Sequence, residues 1–223
     1  LNKINYNNTT VCGDTRFDRV WEISKNVKHI DFIKEFIQNK KVIIGGSTWK
    51  EDEEIIANAK IDFDKYCIII APHEIHENHL SEIEKLFEAQ KTIRYSKLNA
   101  TNASKYNVLI IDNIGMLSSL YQYGTFAFIG GGFGKGIHNI LEAATFGLPI
   151  VFGTNYAKFQ EAKELIALGG AFTIHSEIEL QKVMTEKLAN DNYSKCSIIA
   201  QYYVASRVGA SKLIFQKIFT SQK

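Results

Sequence analysis

Nothing in these 223 residues approaches 18 consecutive apolar positions, so a transmembrane helix is excluded. Cysteine is scarce: Cys12, Cys67 and Cys196 lie far apart with no CxxC spacing. No disulfide framework follows, and a reducing compartment is expected. Cys67 opens an apolar run and reads as a small buried hydrophobe. Charge of one sign is also missing. The 26 basic and 24 acidic residues leave a net charge of +2, and the basic ones are scattered. Nucleic-acid binding by bulk electrostatics therefore has no support. Only two prolines occur, and no internal repeat or low-complexity tract stands out. No signal peptide is expected. The chain starts at Leu1 with ten polar, Asn-rich residues, which leads to the expectation of a fragment whose N-terminal part has been removed.

What is present is ordinary for a globular protein, 45% hydrophobic and 22% charged, and long enough for one large domain or one and a half. Short apolar runs at 42–45, 67–71, 92–95, 108–111, 126–129 and 150–152, with a weak one at 171–174, read as strands. Helical patterns at 51–60, 76–89, 116–123, 139–146, 158–168 and 177–190 separate them. Several strands are continuously apolar, as happens when helices cover both faces of a sheet. The alternation predicts an α/β fold with a doubly wound, Rossmann-like parallel sheet. Two helical segments over 17–39 precede the first strand. A helical tail over 193–219 follows the last, covering either its own sheet or something beyond this chain.

The densest signal is the stretch from Phe128 to Glu142, in which five of the seven residues 130–136 are glycine. Strand, glycine turn and helix in that order predict an anion site of backbone N–H groups at a helix N-terminus. Neither common phosphate loop fits. No register of Gly130, Gly131, Gly132, Gly134 and Gly136 gives G-x-G-x-x-G, and Gly134-Lys135 is followed by Gly136 where a Walker loop needs Ser or Thr. A plain tight turn would carry this glycine content at a large entropic cost, which favours a site. Glu142 then either receives a ribose diol or complements the helix dipole. His138 and Asn139 either cap the helix or touch a ligand.

A second cluster, Gly45-Gly46-Ser47-Thr48-Trp49, follows the first strand and offers small residues and hydroxyls to a phosphate or carboxylate at the same sheet edge. A third, from Pro72 to His79, holds His73, His76 and His79. H-E-x-x-H fails in both registers, so no metal site is expected, while His73 at a strand end is a candidate ligand contact.

The run Gly-Gly-Gly-x-x-x-Gly-x-His-Asn-x-Leu-Glu-Ala-Ala, followed by Gly-Leu-Pro-Ile-Val-Phe-Gly, resembles the 3-deoxy-D-manno-octulosonic acid (Kdo) transferases of lipopolysaccharide synthesis. Gly13-Asp14-Thr15-Arg16-Phe17, Gly46-Ser47-Thr48 with Glu51-Asp52-Glu53, Ala71-Pro72-His73 and Ile114-Gly115-Met116-Leu117 support it in order, so the likeness covers about residues 14–172. It implies the C-terminal domain of a GT-B glycosyltransferase, with 1–16 a linker remnant and 17–223 the donor-binding domain with its C-terminal helices. The implied substrate is cytidine monophosphate-Kdo (CMP-Kdo), with no cofactor. Glu142 would grip the ribose. Gly131, Gly132, Gly134, Lys135, Gly136, His138 and Asn139 would line the donor site, with Ser47 and Thr48 near phosphate. Ile114, Gly115 and Met116 would lie near the cytosine, and the turn at 153–156 with Lys158 and Phe159 would face the donor sugar. The lipid A precursor acceptor and the catalytic base would belong to an N-terminal domain. The full-length protein would contact the cytoplasmic face of the inner membrane peripherally, and this fragment would be soluble and inactive. The family's arginine before His is absent at Pro72-His73, leaving Lys135, Lys50 or Arg16 to neutralise phosphate. A UDP-sugar enzyme of the same architecture and a non-catalytic nucleotide-binding or docking module are the alternatives.

Overall fold

The computed structural model describes residues 9–189 and 191–219. The first eight residues of the expected linker, and Asn190 at the end of the helix expected over 177–190, lie outside the described residues. Seven strands form one sheet: β1 (Lys41–Thr48), β2 (Tyr66–Pro72), β3 (Thr92–Arg94), β4 (Val108–Ile110), β5 (Phe126–Ile129), β6 (Ile150–Phe152) and β7 (Ala171–Thr173). Their order is β3-β4-β2-β1-β5-β6-β7, and every neighbouring pair is parallel.

Both faces of the sheet are buried, which explains the unbroken apolar runs. Ile44, Ile69 and Ala127 point to one face and Ile43, Ile68, Ile70 and Phe128 to the other. The first face is covered by α1 (Thr15–Lys25), α6 (Leu141–Thr145) and α9 (Asp191–Ala205), through Val20, Leu141, Ala144, Ala200 and Val204. The second is covered by α3 (Lys50–Asn58), α4 (Glu77–Leu86) and α8 (Glu177–Lys182), through Ile56, Ile83 and Leu180. The remaining α-helices among the described residues are α2 (Ile33–Ile37), α5 (Leu117–Leu120), α7 (Gln160–Leu168) and α10 (Ala210–Phe219). The tail thus divides at Gly209. Its α9 half covers its own sheet, while α10 leaves Phe215 and Phe219 more than half exposed. Asp18 of α1 ties α10 down by accepting from the N–H groups of Gly209 at 2.6 Å and Ser211 at 2.9 Å.

Strand ends match the sequence expectation within a residue except at β1, which runs on to Thr48. The extra length contains a bulge: Gly46 pairs with Ala71 and Thr48 with Pro72, leaving Ser47 unpaired at φ 52°. Bulges of this kind re-aim side chains beside functional sites. The sheet order reverses between β1 and β5, since the chain leaves β1 toward β2 and leaves β5 toward β6. The loops after those two strands therefore flank the crevice where ligands bind in open α/β sheets.

Candidate functional site

At this crevice the turn after β1 and the glycine loop after β5 meet backbone to backbone. A Cβ on Gly130 would fall 2.2 Å from the Ser47 carbonyl oxygen and 2.6 Å from Thr48 Cα, so no side chain fits there. Gly132 is pressed against Gly153 in the same way, its Cβ position 2.5 Å from the Gly153 nitrogen. Gly131 takes φ +88°, a left-handed conformation that glycine adopts without strain. Asn155 braces the loop from the other side. Its N–H donates to the Gly132 carbonyl at 2.8 Å and its amide Nδ2 to the Gly134 carbonyl at 2.6 Å.

The loop uses part of its backbone internally and leaves the N–H groups of Gly132, Phe133 and Lys135 without a hydrogen-bond partner among the described residues. The N–H groups of Gly130, Gly134, Gly136, Ile137 and His138 all donate to backbone carbonyls, and that of Gly131 donates to Asp52. The helix behind the loop is also short. Expected over 139–146, it spans Leu141–Thr145; Ile140 already has helical dihedrals (φ −84°, ψ −18°), and the Asn139 side chain caps the start by accepting from the Leu141 N–H at 3.1 Å. Five residues carry little macrodipole, so recognition of an anion falls to side chains together with the loop N–H groups left unbonded.

Those side chains converge on a cavity of about 450 Å³. Three rings form one wall: His73 stacks on His138 with centroids 4.3 Å apart, and Trp49 lies 4.6 Å from His73. The Trp49 indole N–H donates to His138 Nε2 at 3.1 Å. Burial, reinforced by the neighbouring His73, pushes the His138 ring below the ordinary histidine range. Gly131, Gly134 and Gly136 supply the backbone wall, with Lys135 and Glu51 as the charged groups. His73 also borders a second, adjoining cavity of about 320 Å³ whose walls include Ile111, Ile114, Gly115 and Leu117. Of the three cations considered for phosphate, only Lys135 borders the ring-walled cavity. Arg16 is engaged by Glu161 at 2.7 Å and Asp14 at 2.8 Å, and Lys50 lines a different depression beside Glu54 and Glu82.

The other expected residues lie elsewhere. Thr48 is fully buried, and its hydroxyl donates to Glu53 at 2.9 Å instead of facing a ligand. Met116 packs against the core. Glu142 is half-buried and accepts from Asn139 Nδ2 at 3.1 Å. Burial raises its carboxyl, opposed by that hydrogen bond and by the Arg19 charge. Gly132 contributes its backbone contact, not a cavity wall. Phe159 closes on Gly136, where a Cβ would sit 3.1 Å from its ring.

Two buried acids went unassigned in the sequence. Asp52 and Glu53, 1% and 2% exposed, sit in the first turn of α3. Asp52 Oδ2 accepts from the Trp49 N–H at 2.9 Å and the Gly131 N–H at 2.8 Å. Burial pushes its carboxyl up to about 6 against those two donors, and Glu53 and Glu51 add to the rise. Glu53 joins His79, whose Nε2 is 2.9 Å from Oε2, while His79 Nδ1 donates to the Glu74 carbonyl at 2.9 Å. Burial raises Glu53 despite that pairing. The same desolvation works against a charged His79, yet Glu53 holds the ring above the ordinary histidine range. The advance signals were the Glu51-Asp52-Glu53 run of the family likeness and an acid three residues after Trp49, the spacing of a capping box. Among the described residues no cluster of three or more His, Cys, Asp or Glu could hold a metal ion, and no helix is long and apolar enough to cross a membrane.

No family model matches the chain. It is 32% identical over 201 residues to the 3-deoxy-D-manno-octulosonic acid transferase of Rickettsia bellii, a match covering 87% of this chain and 47% of that protein. The chain thus spans less than half the length of such curated relatives. The C-terminal CMP-Kdo binding domain of WaaA from Acinetobacter baumannii superposes with a TM-score of 0.57 at 22% identity, over 93% of this chain and 98% of that one. HepE of Anabaena in complex with UDP and glucose matches with a TM-score of 0.59 at 16% identity, over 90% of this chain and 54% of that one. By sequence the chain is a homologue of the Kdo transferases, and by fold it is a C-terminal domain of the GT-B glycosyltransferase architecture.

Proposed function

We propose that the chain is the donor-binding domain of a Kdo transferase and holds the nucleotide of CMP-Kdo at the β1/β5 crevice. The observation that carries this is the convergence of His73, His138 and Lys135 with the glycine loop beside a second, apolar cavity. The pyrimidine occupies the cavity walled by Ile111, Ile114, Gly115 and Leu117, and the phosphate approaches Lys135, with His73 between the two. Glu142, held by Asn139 and bordering neither cavity, is the candidate for the ribose diol only on the family likeness. Lys135 and the ring wall stabilise the departing CMP phosphate, since charged donors in a water-poor site act most strongly where charge develops. On this reading 17–223 is the donor domain and 1–16 a linker remnant. The base that takes the proton of the acceptor hydroxyl, the lipid A precursor site and any membrane contact belong to the part of the relatives that this chain does not span.

Calorimetry with CMP, UMP and UDP tests the assignment. CMP is expected to bind more tightly than either uridine nucleotide, and the chain alone to transfer no Kdo. Preference for UDP would favour a UDP-sugar enzyme, the reading that the likeness to the UDP-bound HepE supports. Kdo transfer by this chain would overturn the division of labour between two domains.

A further inference from the structure

The mechanism outlined above leaves Asp52 without a role, although it is the most deeply buried acid in the crevice. Its Oδ2 accepts one N–H from each side of the site: Trp49, in the turn after β1, and Gly131, in the glycine loop 79 residues further along the chain. Its Oδ1 is buried with no hydrogen-bond partner. Both donors belong to residues of the ring-walled cavity, and the Trp49 side chain reaches across to His138. Gly130 has no room for a Cβ partly because Asp52 Oδ2 would lie 2.8 Å from it. The carboxylate is thus wedged where the two turns touch.

A buried acid with half its acceptors idle contributes poorly to stability, because desolvating a carboxylate costs several kcal/mol that two hydrogen bonds only partly offset. An apolar residue or a single amide would close the same gap at less cost. A geometric role explains the arrangement better. One oxygen accepting two converging N–H groups fixes the separation of the two turns, and with it the distance from Trp49 to His138.

We propose that Asp52 is a positioning residue of the donor site, setting the spacing between the turn after β1 and the glycine loop so that Trp49 and His138 pair across it. As a statement about nucleotide binding this rests on the reading of the crevice as a donor site; as a statement about the two turns it does not. The ionisable groups around Asp52 are Glu51 and Glu53 on its own helix and His138 across the glycine loop, with His79 of α4 paired to Glu53.

Amide NMR of the ligand-free protein across pH 4.5 to 7.5, together with calorimetry using CMP, tests it. The backbone amides of Trp49 and Gly131 are expected to titrate with one shared midpoint that disappears in Asp52→Asn. Residual shifts from His138 persist in that variant and are subtracted by it. Asp52→Asn, whose amide oxygen accepts the same two bonds, is expected to bind CMP within about threefold of the parent chain. Asp52→Ala is expected to bind about tenfold more weakly, the cost of losing one to two hydrogen bonds' worth of preorganisation. Amides that titrate independently, or Asp52→Ala binding CMP as tightly as the parent, would overturn the proposal. Should Asp52→Ala not fold, the shared midpoint alone decides. Failure of the parent chain to bind CMP would count against the donor-site reading and leave the ligand-free titration fully readable.

Discussion

The indole N–H of Trp49 donates to Nε2 of His138 at 3.1 Å, which makes that nitrogen an acceptor and leaves the ring proton on Nδ1. The bond therefore favours neutral His138, in the same direction as burial and the adjacent His73. Trp49→Phe keeps a ring against His73 but removes the donor. The His138 pKa is expected to rise toward the ordinary histidine value, as read from its Cε1–H resonance. No rise would show that the contact is unimportant in solution.

Lys135 is the one of the three cations considered that borders the ring-walled cavity. Lys135→Ala is expected to weaken CMP binding about tenfold, roughly 1.4 kcal/mol for one charge-assisted contact, and to leave cytidine binding unchanged. Calorimetry with the two ligands separates these outcomes. Equal losses for both would mean that the lysine shapes the cavity without meeting the phosphate.

Gly130→Ala would place a methyl group 2.2 Å from the Ser47 carbonyl oxygen. The loss of stability expected for overpacking is about 2–3 kcal/mol, measured by urea denaturation. CMP binding should fall with it, because the two turns must separate to admit the methyl group.

The stability of the fold should depend on Asp52 with a defined sign. Its folded carboxyl lies at about 6, above the ordinary value of 3.8. A group raised in the folded state contributes stability that is fully present below its unfolded pKa and is lost as pH rises through the folded one. Relative to Asp52→Asn, the parent chain should lose about 3 kcal/mol between pH 3 and pH 7, at about 1.4 kcal/mol per pKa unit. Denaturation of both proteins at several pH values checks this, and a pH-independent difference would contradict it.

Arg16 is half exposed, but its partner Glu161 is 7% exposed, so removing the guanidinium strands a buried carboxylate. Arg16→Ala is expected to cost about 1.5–3 kcal/mol, as for hydrogen bonds to charged groups. Adding Glu161→Gln should restore much of it. A double-mutant cycle without coupling would show the pair to be incidental.

The sheet was legible in the sequence because burial on both faces leaves unbroken runs such as Ile68-Ile69-Ile70, and six of seven strands end within a residue of expectation. The crevice was legible because glycines mark where backbones must touch. The acids were not. Glu51-Asp52-Glu53 counts only toward the family likeness, and it takes contacts with Gly131 and His79, distant along the chain, to engage Asp52 and Glu53 in the interior. The helix after the glycine loop begins slightly later than expected because Asn139 serves as its cap, its side chain accepting the otherwise unpartnered Leu141 N–H.

The contact between Gly132 and Gly153 constrains how this protein can change over generations. A Cβ on either residue would lie within 2.7 Å of the other's backbone, so neither position can accept a side chain while the other stays in place. Nor can the two residues exchange roles, because the obstacle is main chain on both sides and no replacement at one position makes room at the other. Single substitutions can then alter the ring wall or the adjoining apolar cavity freely, while any at the junction between these two turns must first force two backbones apart.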